Sequence, residues 1–335
     1  MLPAFLGLSG TILTDAERGL IREADPAGFC LFGRNVADRA QLRALTDSLR
    51  DLSGRADLPI LIDQEGGRVA RLRPPHWPDF PAAACFAALY GKAPISAIEA
   101  ARVNAKALGL MLAEAGINVD AAPVLDLLHP GANAVVGDRS FGAEPIQVAA
   151  LGGAMLEGLA AAGVAGVLKH MPGHGRATAD SHHALPVVDA SPDELAADLA
   201  PFRALARRAP MAMTAHLLYR AWDAKRPATL SPIVIDQVIR TGIGFDGLLM
   251  SDDIAMEALS GPLEERARAA LEAGVDIVLH CSGVAADNAA LARALPPIGD
   301  LAATRLAKAV SGVGTATCVD FDALVAKRDA LLALT

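Results

Sequence analysis

Short apolar runs alternate with helical patterns about eight times along this chain, with short connections and no linker between them, and this repeat restricts the fold more than any other feature. Candidate strands lie at residues 4–8, 28–32, 60–63, 116–121, 164–169, 211–215, 247–251 and 276–281. Helical stretches lie near 38–52, 96–115, 146–162, 191–207, 231–241 and 263–273. Strand followed by helix, repeated in this way, predicts an α/β protein with a parallel sheet, folded as a single (β/α)8 barrel over residues 1–335. A doubly wound sheet is the alternative, weakened because no Gly-x-Gly-x-x-Gly follows the first strand. Helices from Asp300 onward are expected to complete the barrel.

In such barrels the working residues stand where strands end and the following loops begin. Polar residues fall at those places here: Asp63-Gln64-Glu65, Asp126, Lys169-His170, His216 and Asp252-Asp253. Five strand ends therefore converge on one face. The densest group is Lys169-His170-Met171-Pro172-Gly173-His174-Gly175 followed by Ala179-Asp180-Ser181-His182-His183, which reads as a catalytic loop at the end of a buried strand.

Charge and cysteine usage narrow the function. A formal net charge of −8 argues against an electrostatic grip on nucleic acid or anionic lipid, and favours a small neutral or mildly charged substrate. Cys30, Cys85, Cys281 and Cys318 are scattered without Cys-x-x-Cys spacing, which points to a reducing cytoplasm rather than to zinc or a disulfide framework. No basic region precedes the apolar residues at the N-terminus, so no secretory signal is expected. The stretch 148–168 imitates a membrane span, but Glu157, its glycines and the stripe Leu151, Met155, Leu159 predict a buried helix ended by Gly163 and then a strand.

The motifs Lys169-His170-x-Pro172-Gly173-His174-Gly175, Asp180-Ser181-His182 and Phe245-Asp246-Gly247 running into Ser251-Asp252-Asp253 resemble the family 3 glycoside hydrolases, in their bacterial β-N-acetylglucosaminidase branch. Asp63-Gln64-Glu65-Gly66-Gly67-Arg68-Val69-x-Arg71 and Gly137-Asp138-Arg139-Ser140 look like that branch too. Departures are small: Met171 stands where the branch commonly has Phe, and Asp138 where Glu is common.

The resemblance implies a single barrel domain, an Asp252 nucleophile, and an acid/base at His182 oriented by Asp180. It assigns Asp63, Arg71, Arg139, Lys169 and His170 to the N-acetylglucosamine pocket, and His216 is expected to line the same pocket. Retaining hydrolysis needs an attacking carboxylate and a group that protonates the departing oxygen. Imidazole suits the second task near neutrality. Successive residues of an extended strand point opposite ways, so Asp253 is expected to support Asp252 as a hydrogen-bond acceptor. The loop carrying His182 is expected to close over substrate.

The implied activity is a cytoplasmic, retaining exo-β-N-acetylglucosaminidase with no metal or organic cofactor, acting on GlcNAc-1,6-anhydro-N-acetylmuramic acid, with or without peptide, in cell-wall recycling. Its partner is then a small glycan rather than nucleic acid or membrane. Oligomeric state, GlcNAc against GalNAc preference and regulation are not legible. Competing readings are phosphorolysis at the same site, a catalytically silent sugar-binding barrel, and a metal site on His170, His174, His182 and His183. Arg68 and Glu65 are read as structural partners of nearby backbone, His174 as a brace for its loop or a substrate contact, and Asp126 as either.

Overall fold

The computed structural model describes residues 1–131, 133–181, 184–311 and 320–335. Eight parallel strands close a barrel: β1 (Leu2–Gly7), β2 (Pro26–Leu31), β3 (Ile60–Ile62), β4 (Val119–Asp120), β5 (Ala165–Met171), β6 (Met211–Thr214), β7 (Leu248–Asp253) and β8 (Ile277–His280), each pairing with its neighbours in the chain and β8 with β1. All eight expected strands are present. The fourth is shorter than its apolar run, because Gly116 takes φ +77° after helix Pro94–Glu114 and the chain becomes extended only at Val119.

Alternation along the strands sorts the core into two shells. Phe5, Leu61, Val119, Val167, Met211, Met213, Leu248, Met250, Ile277 and Leu279 fill the barrel interior. Residues of opposite parity, such as Leu6, Ile60, Ile62, Leu168, Ala212 and Leu249, meet the surrounding helices. The stretch that imitates a membrane span is helix Pro145–Ala161 followed by β5, with Gly163 at φ +82° between them. No described helix is long and apolar enough to cross a membrane.

The expected helices appear within a few residues of their predicted ends. Helix Asp15–Ala24 was not predicted, although Thr14 and Glu17 form a reciprocal capping box at its start and provided the signal for it. The terminal helices, expected to complete the barrel, pack at two different places on it. Asp300–Ser311 sends Leu306 and Ala309 into the interior core, so it closes the N-terminal end of the barrel. Phe321–Leu332 instead packs beside Pro94–Glu114, where buried Arg328 reaches Asn104 Oδ1 at 3.3 Å and Lys327 pairs with Glu99.

Candidate active site

A cavity of about 380 Å³ opens at the C-terminal ends of the strands. Its wall includes Asp63 after β3, Lys169 and His170 from β5, and Asp252 and Asp253 at the end of β7, with Arg71, Arg139 and Asp180 from loops. Eight of the nine residues expected at the site can be located. His182 lies outside the described residues, as do His183 and Cys318, whereas its neighbours Asp180 and Ser181 are on the cavity wall.

One side of the cavity is a chain of alternating charges. Lys169 Nζ, almost fully buried, sits 2.9 Å from Asp63 Oδ1 and 2.7 Å from Glu65 Oε1. Arg71 holds the other oxygen of Asp63 at 2.9 Å. Arg139 grips Glu65 through two parallel bonds of 2.8 Å, the planar fork geometry that favours arginine at such a place. Burial alone would push Asp63 up, but Lys169 and Arg71 outweigh it and hold the carboxyl far below the usual carboxylate range. Glu65 is lowered in the same way by Lys169 and Arg139 against its burial. Glu65 therefore departs from its expected role as a partner of backbone: it bridges two cations. Arg68 does meet backbone, at Ala134 O and Val135 O, and also pairs with Asp138 at 2.7 Å.

The histidine-rich loop is pinned at several points. Asp126 accepts His170 N–H, His174 N–H and His170 Nδ1 at 3.2, 2.6 and 2.7 Å. Burial opposes its charge, but His170 first and His174 second bring it down to about 2. Gly173 takes φ +133°, and its carbonyl accepts the Tyr219 hydroxyl at 2.6 Å. Gly175 passes so close to the β4 loop that a Cβ there would stand 2.0 Å from Leu127 O. Farther on, Arg176 Nε and His129 Nε2 each reach Asp198 of helix Pro192–Leu205 at 2.6 Å. His174 braces the far end of the loop, with Nε2 3.1 Å from Ser181 Oγ; burial, then the nearby His170, lower its pKa to about 4, so its ring is neutral.

Asp252 and Asp253 both line the cavity, which differs from the strict alternation expected of a strand. The strand ends here: Asp253 N–H turns back onto Asp252 Oδ1 at 2.8 Å, and the residues that follow form turns. Asp253 does act as an acceptor, taking Ala255 N–H and Cys281 N–H at 3.0 and 3.1 Å. Burial raises Asp252, but His170, His216 and the Asp253 N–H together outweigh it and leave the carboxyl below its ordinary value. Asp253, by contrast, is raised by burial, with Asp252 adding to the effect. Adjacent carboxyls pushed in opposite directions give one ionised group beside one that resists ionising.

His216 corrects an expectation. It is fully buried and is not among the described residues lining the cavity. Its Nδ1 lies 2.7 Å from Thr229 Oγ1 and its Nε2 lies 3.0 Å from Asp253 O, so it supports the end of β7 from behind. Sequence reasoning missed the part of the cavity wall formed by Cys30 of β2, Phe32 just after it and Cys281 after β8, where Arg71 lies over the Phe32 ring at 4.9 Å. Apolar and thiol side chains at strand ends are indistinguishable from core in a sequence.

Residues 6–316 match the glycosyl hydrolase family 3 N terminal domain. The chain belongs to glycosyl hydrolase family 3. A relative from Alkalilimnicola ehrlichii named Beta-hexosaminidase is 42% identical over 311 residues, which cover 91% of this chain and 88% of that protein. A Beta-hexosaminidase from Aromatoleum aromaticum is 39% identical over 284 residues, 84% of this chain and 79% of the relative. Among solved structures, NagZ from Neisseria gonorrhoeae in complex with N-trifluoroacetyl-D-glucosamine superposes with a TM-score of 0.86 at 34% identity, covering 99% of this chain and 96% of that one. In this family 3 glycoside hydrolase, then, the charged arc and the Asp252-Asp253 pair share one cavity at the barrel mouth, the usual place for catalysis in such folds.

Proposed function

We propose that this chain is a retaining exo-β-N-acetylglucosaminidase in which Asp252 attacks the anomeric carbon and His182, charged and oriented by Asp180, protonates the departing oxygen. The observation that carries this reading is the common cavity: Asp252, ionised and half-buried, shares it with Asp180 and with the Asp63–Lys169–Arg139 arc. Expulsion of the aglycone leaves a covalent glycosyl ester on Asp252. His182, now deprotonated, activates water to hydrolyse it. Asp63, Arg71, Arg139, Lys169 and His170 bind the sugar hydroxyls through charge-assisted hydrogen bonds. His216 acts behind the nucleophile rather than on the sugar.

The relatives named Beta-hexosaminidase and the sugar analogue bound by the gonococcal NagZ support GlcNAc as the glycone. The substrate is GlcNAc-1,6-anhydro-N-acetylmuramic acid or its peptide forms, the setting cytoplasmic cell-wall recycling, and the catalytic unit one domain over 1–335 that needs no metal or organic cofactor. The test is release of 4-nitrophenol from its β-GlcNAc glycoside by the wild type and by Asp252→Ala, with and without azide, EDTA and phosphate. Loss of activity in Asp252→Ala, with azide restoring an α-configured glycosyl azide, supports the assignment. Full activity in that variant, loss with EDTA, or GlcNAc-1-phosphate as the product in phosphate sinks it.

A further inference from the structure

The cavity wall beside the charged arc holds a pair of thiols. Cys30 at the end of β2 and Cys281 just after β8 bring their Sγ atoms within 3.9 Å, and both line the catalytic cavity beside Asp252 and Asp253. Between them runs β1, whose Gly7 pairs with Cys30 and carries no side chain to separate the sulfurs. Strands two places apart lie about 9 Å from one another. That exceeds the roughly 7 Å between Cα atoms that a disulfide tolerates. On that spacing an S–S bond would require a barrel strand to move, and in the structure the pair stands as two free thiols. An ion that bridges sulfurs reaches where an S–S bond does not.

We propose that Cys30 and Cys281 form a two-thiolate site for a soft monovalent cation, Cu(I), and that filling it stops turnover. Thiolates select soft ions. Among the described residues no group of three His, Cys, Asp or Glu side chains could hold a metal, which disfavours the four-coordinate shell that zinc takes and favours an ion content with two sulfurs in line. Two thioethers, Met213 and Met256, line the same cavity and keep the surroundings soft. The contact with Cys30 first and burial second push the Cys281 thiol up, so the ion must displace its proton in order to bind. Two S–H bonds break, two Cu–S bonds form, both protons leave to solvent, and copper stays Cu(I) throughout. The resulting bis-thiolate carries a net negative charge next to Asp252 and Asp253. It also lies where Cys281 N–H holds Asp253 Oδ1 at 3.1 Å, so occupation disturbs the nucleophile's neighbour as well as narrowing the cavity.

The inhibition half of this inference rests on the hydrolase reading, whereas copper uptake does not. The test therefore reads the two separately, in the full chain with Cys85→Ser and Cys318→Ser to remove the other thiols. Under nitrogen, the protein is titrated into Cu(I)–bicinchoninate and the loss of chelate colour is followed. Expected are one Cu(I) per chain, at least a tenfold weaker uptake in Cys30→Ala and in Cys281→Ala, each shown folded by circular dichroism, and aryl glycosidase activity that falls in step with occupancy. N-acetylglucosamine should slow loading. No uptake by the parent, or equal uptake by folded Cys30→Ala, overturns the site. Uptake with undiminished hydrolysis overturns the inhibition. Absence of hydrolysis before copper is added counts against the proposed activity alone, because uptake still reports on the thiols.

Discussion

His170 Nδ1 lies 2.7 Å from Asp126 Oδ2, and the other oxygen of the same buried carboxylate takes the backbone N–H groups of His170 and His174. One side chain from the β4 loop thus fixes both the ring and the backbone of the histidine-rich loop. Asp126→Ala should cost about 3–5 kcal/mol, because it strands a buried histidine and two N–H groups. Asp126→Asn keeps one acceptor and should cost less. Urea midpoints of the two variants check the order.

Lys169 neutralises two carboxylates at once. Lys169→Met should destabilise by about 2–3 kcal/mol, because Asp63 and Glu65 each lose one of two cationic partners, and should raise KM. Lys169→Arg should not restore wild-type kinetics, since a planar guanidinium does not fit a point between two carboxylates. Chemical denaturation and Michaelis curves on the pair test both statements.

His174 makes stability depend on pH. Its folded pKa of about 4 lies below the unfolded value of about 6.5. The unfolded chain therefore takes up a proton in a range where the folded chain does not. Stability should fall as pH drops from about 6.5 to about 4, by up to about 3 kcal/mol from this group, with no further loss from it below that. His174→Gln, which retains a group able to meet Ser181, should flatten this dependence. Equal pH slopes in urea titrations of wild type and variant would contradict it.

Since His216 reaches Asp253 O and not the cavity, its loss should act on turnover more than on binding. His216→Leu should lower kcat by about 10- to 100-fold with little change in KM, as expected for a small displacement of a reacting group. His216→Gln, able to donate to the same carbonyl, should recover part of the loss. A rise in KM with kcat intact would return His216 to the sugar.

Gly175→Ala is expected to destabilise by about 3 kcal/mol or more, because its Cβ would fall 2.0 Å from Leu127 O, a backbone atom that cannot step aside. Thermal melts of the variant measure this directly.

The barrel was legible because short apolar runs and helical stretches alternate with little interruption, and all eight strands fall where those runs lie. Asp63, Lys169 and Asp252 were legible as well, since a charged residue directly after an apolar run has few other reasons to be there. The rest depended on what sequence does not carry. Glu65 follows Asp63 by two residues, but its bridge to Lys169 and Arg139 spans separate strands and loops. His216 looked like a pocket residue because it ends a strand, yet the chain turns inward there and the ring finds Thr229. The terminal helices could not be placed by a repeat they no longer follow.

The series Arg71, Asp63, Lys169, Glu65, Arg139 alternates in sign along its whole length, with every carboxylate between two cations. Three cations against two carboxylates leave one positive charge along the series, which ionised Asp252 in the same cavity offsets, so a neutral sugar bound there, as proposed, need not bring a counter-ion or shed one. Recognition by such a surface should depend little on ionic strength, and an inorganic anion offers little competition, because each cation is already engaged by a carboxylate. The cavity can then work unchanged across the swings in salt and free phosphate that living cells undergo.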